Sequence, residues 1–296
     1  MSIKRKIRKT KQLLSEGNFG GLFFKLLEQI PFYNDITRSA KYLYLRRKYR
    51  TLLDVHPDTQ KLRIGGGHKD IIWRLWLQGT DEAPQICKSC LASLRRWHPD
   101  KEIITLDKNN LSDYITLPEH ITRKHEQGII SHTHYSDIVR AQLLAEHGGT
   151  WADSTVFCTG RRHEEIMHLP LFVFQEHHFA SASSSWFIVS DPHNPVITLT
   201  RDLLFKYWEN YDYLMHYFLF HMFFKMASEV YAEEFRKMPY FSNRPPHAMQ
   251  RAMYEDYSEE KMERFAEMSD FHKLSWKIDP DNQPSASSIF RHVESM

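Results

Sequence analysis

An α/β domain with a mostly parallel central sheet flanked by helices is the fold class this sequence predicts, and three observations carry the prediction. Residues 70–107 read as strand, helix and strand; residues 132–157 read as a helix followed by a strand that ends on an acid; and two further apolar strands precede another helix between residues 171 and 208. Strands that alternate with helices are joined by right-handed crossovers, which sets the strands parallel and brings their carboxyl ends to one edge of the sheet. With 296 residues and 42% hydrophobic content the chain can bury one large core, so one domain with extensions is expected.

The first 50 residues hold 13 Lys/Arg against 3 Asp/Glu and the other 246 hold 26 against 34, so the net charge of +2 hides a basic N-terminus and an acidic body. Lys4, Arg5, Lys6, Arg8, Lys9 and Lys11 precede an apolar cluster of Leu22, Phe23, Phe24, Leu26 and Leu27, and Arg46, Arg47, Lys48 and Arg50 close the segment. This reads two ways: a peripheral contact of residues 1–50 with an anionic membrane surface, or an extension whose apolar side packs on the domain. Residues 1–60 are set apart as a basic amphipathic N-terminal extension and residues 61–296 as the domain, entered through Gly65-Gly66-Gly67. No apolar run approaches the roughly 18 residues of a membrane span, and no secretory leader is evident. Three cysteines, an odd number, give no disulfide framework. The expected location is cytoplasmic, peripheral at the inner face of the cell membrane.

Residues 70–79, D-I-I-W-R-L-W-L-Q-G, read as a buried first strand ending in a turn, with Trp73 in the core. Pro84 begins a helix with Ile86, Cys87, Cys90, Leu91 and Leu94 on one face. Cys87 and Cys90 have half-site spacing for redox or zinc chemistry, but no second pair exists and buried thiols account for them better. The turn at Trp97-His98-Pro99-Asp100 leads into a strand over residues 102–107, and a helix–loop region spans residues 110–128.

In residues 132–157, Ser136 reads as an N-cap and Asp137 as a first-turn acid; Ile138, Val139, Ala141, Leu144 and Ala145 form an apolar face. Gly148-Gly149 ends the helix, and Thr150-Trp151-Ala152 delivers Asp153 to the strand end, where open α/β sheets place ligand-binding residues. Asp137 and Arg140, three apart, share a helix face. His132 and His134 lack a third ligand at metal spacing, so a structural role is expected. Strands over residues 171–175 and 186–190 are read as separated by a small-residue loop over residues 181–185, with no G-x-S-x-G elbow. Helices are expected over residues 195–208, 211–227 (aromatic-rich, with His216 and His221) and from Pro245 to about residue 269. Little regular structure is expected after Asp279.

The combination S-D-x-x-R, a helix, then G-G-x-W-x-D-x-T resembles the core signature of the capsular polysaccharide synthesis family of glycosyltransferases, relatives of the family-32 sugar transferases. Trp73, Trp76, Gln78 and Gly79 match that family's W-x-x-W-x-Q-G pattern. The resemblance covers about residues 70–280 and implies a GT-A-like nucleotide-sugar-binding domain, with Trp76, Gln78, Gly79, Asp137, Arg140 and Lys273 around the donor. Asp137, Arg140 and Asp153 would be the catalytic group: Arg140 contacting the donor, Asp137 orienting Arg140 or a donor hydroxyl. Asp153 would hold Mn²⁺ or Mg²⁺ across the phosphates. Many GT-A enzymes bring a C-terminal His and Lys over the diphosphate, so His272 is the expected second metal ligand and Lys273 the neutraliser of the departing phosphate.

Related family-32 enzymes carry D-x-D at the strand end, whereas the triplet here is Asp153-Ser154-Thr155, so strict metal dependence does not follow. The expected function is transfer of a sugar from a nucleotide-sugar donor, UDP-linked, to a glycan acceptor of a growing surface or capsular polysaccharide. A metal-dependent phosphoesterase acting on nucleotide or sugar phosphates is the alternative. Nucleic acid is not an expected partner, given the acidic body and the lack of a recognised motif.

Overall fold

The structure, a computed structural model, describes residues 34–54 and 70–296. Helices α1 (Asn34–Lys48) and α2 (Arg50–Asp54) precede β1 (Ile71–Leu75), α3 (Gln85–Trp97) and β2 (Glu102–Leu106). Then come α4 (Glu119–Glu126), α5 (His132–His147), β3 (Gly149–Ala152), β4 (Val156–Cys158), and the hairpin β5 (Leu171–His178) and β6 (Ser181–Ser190). The rest is helical apart from one strand: α6 (Pro195–Asn210), α7 (Leu219–Val230), α8 (Ala232–Arg236), α9 (Ala248–Arg251), α10 (Glu259–Met268), β7 (Phe271–Lys273) and α11 (Ile289–Glu294).

The main sheet has the order β2-β1-β3-β6-β5. β1 pairs parallel with β2 and β3, while β6 pairs antiparallel with β3 and with β5, so β6 alone runs against the other four strands. The mostly parallel α/β sheet is therefore present, and its carboxyl edge collects the ends of β1, β3 and β5. A second sheet pairs β4 with β7 antiparallel, which returns the C-terminal region to the end of β3. The main core contains Trp73, Trp151, Ile138, Leu144, Phe172, Phe187, Tyr207, Phe220 and Phe223, all within 1% of full burial. A smaller cluster holds Cys87, Cys90, Phe157, Met249, Leu274, Ile289 and Phe290. All three thiols are buried and free, and burial pushes Cys87 up to about 11 and Cys90 to about 12.

Several local expectations are corrected. α5 begins at His132, capped by Ser131 whose Oγ accepts from the His134 amide, so Ser136 and Asp137 lie inside the helix. Ser131, in extended backbone, satisfies the end amides first, and the helix then continues through His132 to Tyr135. The serines at 181–185 are strand residues of a tight hairpin, where pairing with β5 overrides their weak strand propensity. Residues 211–218 are not helical. Their carbonyls are taken by long side chains, with Lys124 Nζ on Tyr211 O at 3.0 Å, Lys41 Nζ on Met215 O at 3.0 Å and Tyr207 Oη on Tyr213 O at 2.7 Å. The helical stretch after Pro245 is broken into α9 and α10, and the tail after Asp279 ends in α11, whose Ile289, Phe290 and Val293 fill the smaller core.

The last part of the basic extension packs on the domain. Tyr42 and Leu45 on α1, Leu53 on α2 and Tyr49 at the turn between them are buried in the main core, and Arg46 lies 3.6 Å from Glu229. The first basic group and the apolar cluster at 22–27 lie outside the described residues. Among the described residues no helix is long and apolar enough to cross a membrane.

Gly148 joins α5 to β3 at φ 67°, and a Cβ there would stand 2.7 Å from Pro192 and 2.8 Å from Ser190 O. Only glycine has both the backbone freedom and the space, so the helix stops there and the chain enters β3 aimed at the carboxyl edge.

Candidate active site at the carboxyl edge of the sheet

Asp153 follows the last residue of β3, and its position is fixed from both sides. Its amide donates to Trp186 O at 2.9 Å on β6, and its Oδ1 accepts from Trp151 Nε1 at 2.9 Å. Trp151 is two residues earlier, and the side-chain alternation of a strand puts both on one face. The following turn is locked to β1: Arg74, itself buried, donates to Ser154 O at 2.7 Å and Cys87 O at 3.2 Å, and Ser154 Oγ donates to Leu75 O at 2.8 Å.

Two cations converge on the Asp153 carboxylate. Arg140 Nη2 lies 3.2 Å from Oδ1, and Lys273 Nζ lies 2.8 Å from Oδ2 and 2.6 Å from Thr155 Oγ1. Burial alone would raise the Asp153 carboxyl, but the Lys273 ammonium and Arg140 guanidinium outweigh it and hold it below the usual carboxylate range.

Arg140 is almost entirely engaged inside the protein. Nη1 faces Asp137 Oδ1 at 3.3 Å and donates to Ser185 O; Nη2 also donates to Ser136 Oγ at 3.2 Å, and Nε to Ser136 O at 3.3 Å. Its guanidinium lies over the Trp151 ring at 5.0 Å and near Phe220 at 5.8 Å. Asp137 is likewise held, its Oδ2 3.4 Å from His134 Nδ1. With side chains 5% and 9% exposed, Arg140 and Asp137 stand behind Asp153, whereas Asp153 and Lys273, each 22% exposed, face outward. Arg140, expected to contact the donor, and Asp137, expected to orient Arg140 or a donor hydroxyl, are thus in contact with each other, and Arg140 with Asp153.

His272 is not brought to this group. β7 pairs Val156 with Lys273 and Phe157 with His272, and successive residues of a strand point to opposite faces. Lys273 therefore reaches Asp153 while His272, fully buried, shares a hydrogen bond between its Nε2 and Thr159 Oγ1 at 3.0 Å, leaving Nδ1 without a partner. Its expected role as a metal ligand with Asp153 is corrected by that alternation. Nor does the donor set fit a protein-held Mn²⁺ or Mg²⁺: a single carboxylate is present, and both its oxygens face cations. Among the described residues no three His, Cys, Asp or Glu side chains gather where a metal could sit.

Trp73 is core, its Nε1 bonded to Gly148 O at 2.9 Å. Trp76, just past β1, is half-buried, makes an edge contact of 5.8 Å with the exposed Trp276, and leaves a buried Nε1 unpartnered. Gln78 is exposed and Gly79 follows at φ 95°. The site residues not singled out from sequence are Ser136, Trp151, Thr155, Ser185 and Arg74. Three of them carry a local signal, since Ser136 is four residues from Arg140, and Trp151 and Thr155 are each two from Asp153. Ser185 and Arg74 carry none.

Burial also depresses three histidines: His272 and His221 to about 4 and His216 to about 3, against 6.5 in the unfolded chain. Between those values the unfolded chain binds more protons than the fold, so stability falls as pH drops from about 6.5 towards 4. Thermal melts are expected to show a loss of several degrees between pH 7.5 and 5.0. His272→Gln is expected to flatten that slope. An unchanged slope would show that His272 is not held neutral.

A mixed α/β sheet with a lysine paired to an acid at its carboxyl edge carries polar side chains where open α/β sheets bind their ligands. The chain belongs to the capsular polysaccharide synthesis protein family, whose profile matches residues 29–293. No curated protein matches the sequence. Among solved structures it is similar to PaToxG glycosyltransferase, at 15% identity over 67% of this chain and 81% of that one, with a TM-score of 0.39.

Proposed function

We propose that this protein is a glycosyltransferase that moves a sugar from a UDP-linked donor to a glycan acceptor during surface polysaccharide synthesis. Family membership supports the reading, and the observation that carries it is the contact of Lys273 with Asp153 at the sheet's carboxyl edge. Breaking the bond at the anomeric carbon builds positive charge on the sugar and negative charge on the leaving diphosphate. Lys273 Nζ, a mobile point charge on a flexible stem, turns from Asp153 to the diphosphate and neutralises it as it leaves. Asp153 holds that ammonium in place before the donor arrives and accepts from a donor hydroxyl afterwards. Arg140 and Asp137 keep Asp153 ionised and oriented. Trp76 and Trp276 border the end of β1 and offer aromatic faces to the nucleobase.

Calorimetric titration with nucleoside diphosphates and nucleotide sugars tests this. One nucleotide is expected to bind, with little change between EDTA and Mn²⁺, because protein cations face the phosphates. Absence of nucleotide binding in both conditions would overturn the reading. Binding only with Mn²⁺ would keep the transferase and return an ion, held chiefly by phosphate oxygens, to the site.

The proposal extends to a peripheral position at the inner face of the membrane through residues 1–50, supported by their 13 basic against 3 acidic side chains, of which residues 1–33 hold 7 against 2. In liposome sedimentation, full-length protein is expected to bind anionic vesicles and a chain lacking residues 1–33 to remain in solution. Equal binding by both would sink this part.

A further inference from the structure

A cleft opens at the same carboxyl edge, on the β5 side of Asp153, with a volume of about 590 Å³. Its lining contains three arginines, Arg38, Arg244 and Arg251, and one acid, Glu176, together with Tyr240 and His247. Glu176 is already matched, because Arg38 Nη2 lies 3.4 Å from it and Ser181 Oγ donates to it. Burial holds His247 below the ordinary imidazole value, so it is neutral near pH 7 and the charge comes from the arginines. Arg251 Nη2 reaches only Arg244 O, at 3.4 Å, and neither Arg244 nor Arg251 pairs with a carboxylate among the described residues. Arg38 Nε is a buried donor with no acceptor. The cleft thus carries two more cations than anions.

The wall that holds these groups is built into the sheet. Gln175 on β5 accepts from the Asn243 amide at 2.8 Å and donates to Phe241 O at 2.7 Å, and Trp186 Nε1 donates to Asn243 Oδ1 at 2.9 Å. The same Trp186 accepts the Asp153 amide through its carbonyl, so one residue of β6 ties Asp153 to this cleft. In the sheet order β2-β1-β3-β6-β5, the end of β1 lies on one side of Asp153 and this cleft on the other. Strands about 4.8 Å apart put the end of β5 roughly 10 Å from Asp153, the span of about one sugar ring and its linkage. Tyr240, 53% exposed and stacked on His177, offers a flat apolar face to such a ring.

We infer that this cleft is the acceptor subsite and that it takes an acceptor carrying a phosphate group, which the Arg244 and Arg251 guanidinium forks recognise. Planar guanidinium groups match phosphate oxygens with paired hydrogen bonds. The inference rests on the transferase reading for the word acceptor, but not for the anion site itself.

The test titrates glucose 1-phosphate into the full chain, first alone and then with the donor side saturated by the nucleoside diphosphate that binds. Saturable binding that survives saturation, and that weakens about tenfold or more in Arg244→Ala/Arg251→Ala with nucleotide affinity unchanged, is the expected result. Glucose and glucuronate are expected to bind much more weakly. Three results would overturn the inference: no binding of glucose 1-phosphate, binding indifferent to the double variant, or equal binding of glucuronate. If no nucleotide binds, the transferase reading fails by itself, and the response of glucose 1-phosphate binding to the double variant still decides the anion site.

Discussion

Replacing Arg140 with alanine is expected to cost about 3–5 kcal/mol of stability, the range for breaking a buried ion pair by removing one partner. The guanidinium uses all three nitrogens at once, on Asp137, Asp153, Ser136 and Ser185, and fills the space between Trp151 and Phe220. Its loss leaves Asp137 with His134 beside it and Asp153 with Lys273 and Trp151 Nε1, and opens a cavity under the turn that follows β3. For a chain of this size the melting temperature should fall on the order of 10 °C. Arg140→Lys keeps the charge but loses the fork, so it should melt between the two. Thermal denaturation checks this, and an alanine variant that melts within about 2 °C of the parent would show that the network is not what holds the edge together.

Lys273→Ala has the opposite profile: a small effect on stability and a large one on chemistry. The Lys273–Asp153 pair is partly exposed, so its loss should cost on the order of 1 kcal/mol. If the ammonium meets charge that develops on the leaving diphosphate, its removal should slow nucleoside diphosphate release from the donor by about 10²–10³-fold, chiefly in kcat. Lys273→Arg should recover part of the rate. Asp153→Asn releases the ammonium from its anchor, so Asp153→Asn combined with Lys273→Ala should lose little more than Lys273→Ala alone. Rates for Lys273→Ala within a factor of about 3 of the parent would remove Lys273 from the mechanism.

The different fates of these residues show which features the sequence carries openly. The helix–strand unit around Asp153 was legible because its signals are local: an apolar face at helical spacing, a glycine pair that stops the helix, and a strand ending on an acid. The Asp137–Arg140 contact was legible for the same reason, since residues three apart on a helix are neighbours. The start of α5 was misplaced because Ser131 and Ser136 are equally good caps in isolation, and only the packing of His134 and Tyr135 decides between them. That Arg140 is buried depends on Ser185 and Phe220, which come from elements 45 and 80 residues further along the chain.

The basic cleft lay wholly beyond such reading, because Arg38, Glu176, Arg244 and Arg251 come from three distant segments. By itself, the sequence determined the α/β alternation, the acid at the end of β3 and the pairing of an arginine with an aspartate on one helix face, since each is set by neighbours within a few residues. Which of His272 and Lys273 meets Asp153 was decided only by the tertiary structure. A strand presents alternate residues to alternate faces, so the register of β7 on β4 places the lysine at the acid and the histidine in the core, and a slip of one residue would exchange them.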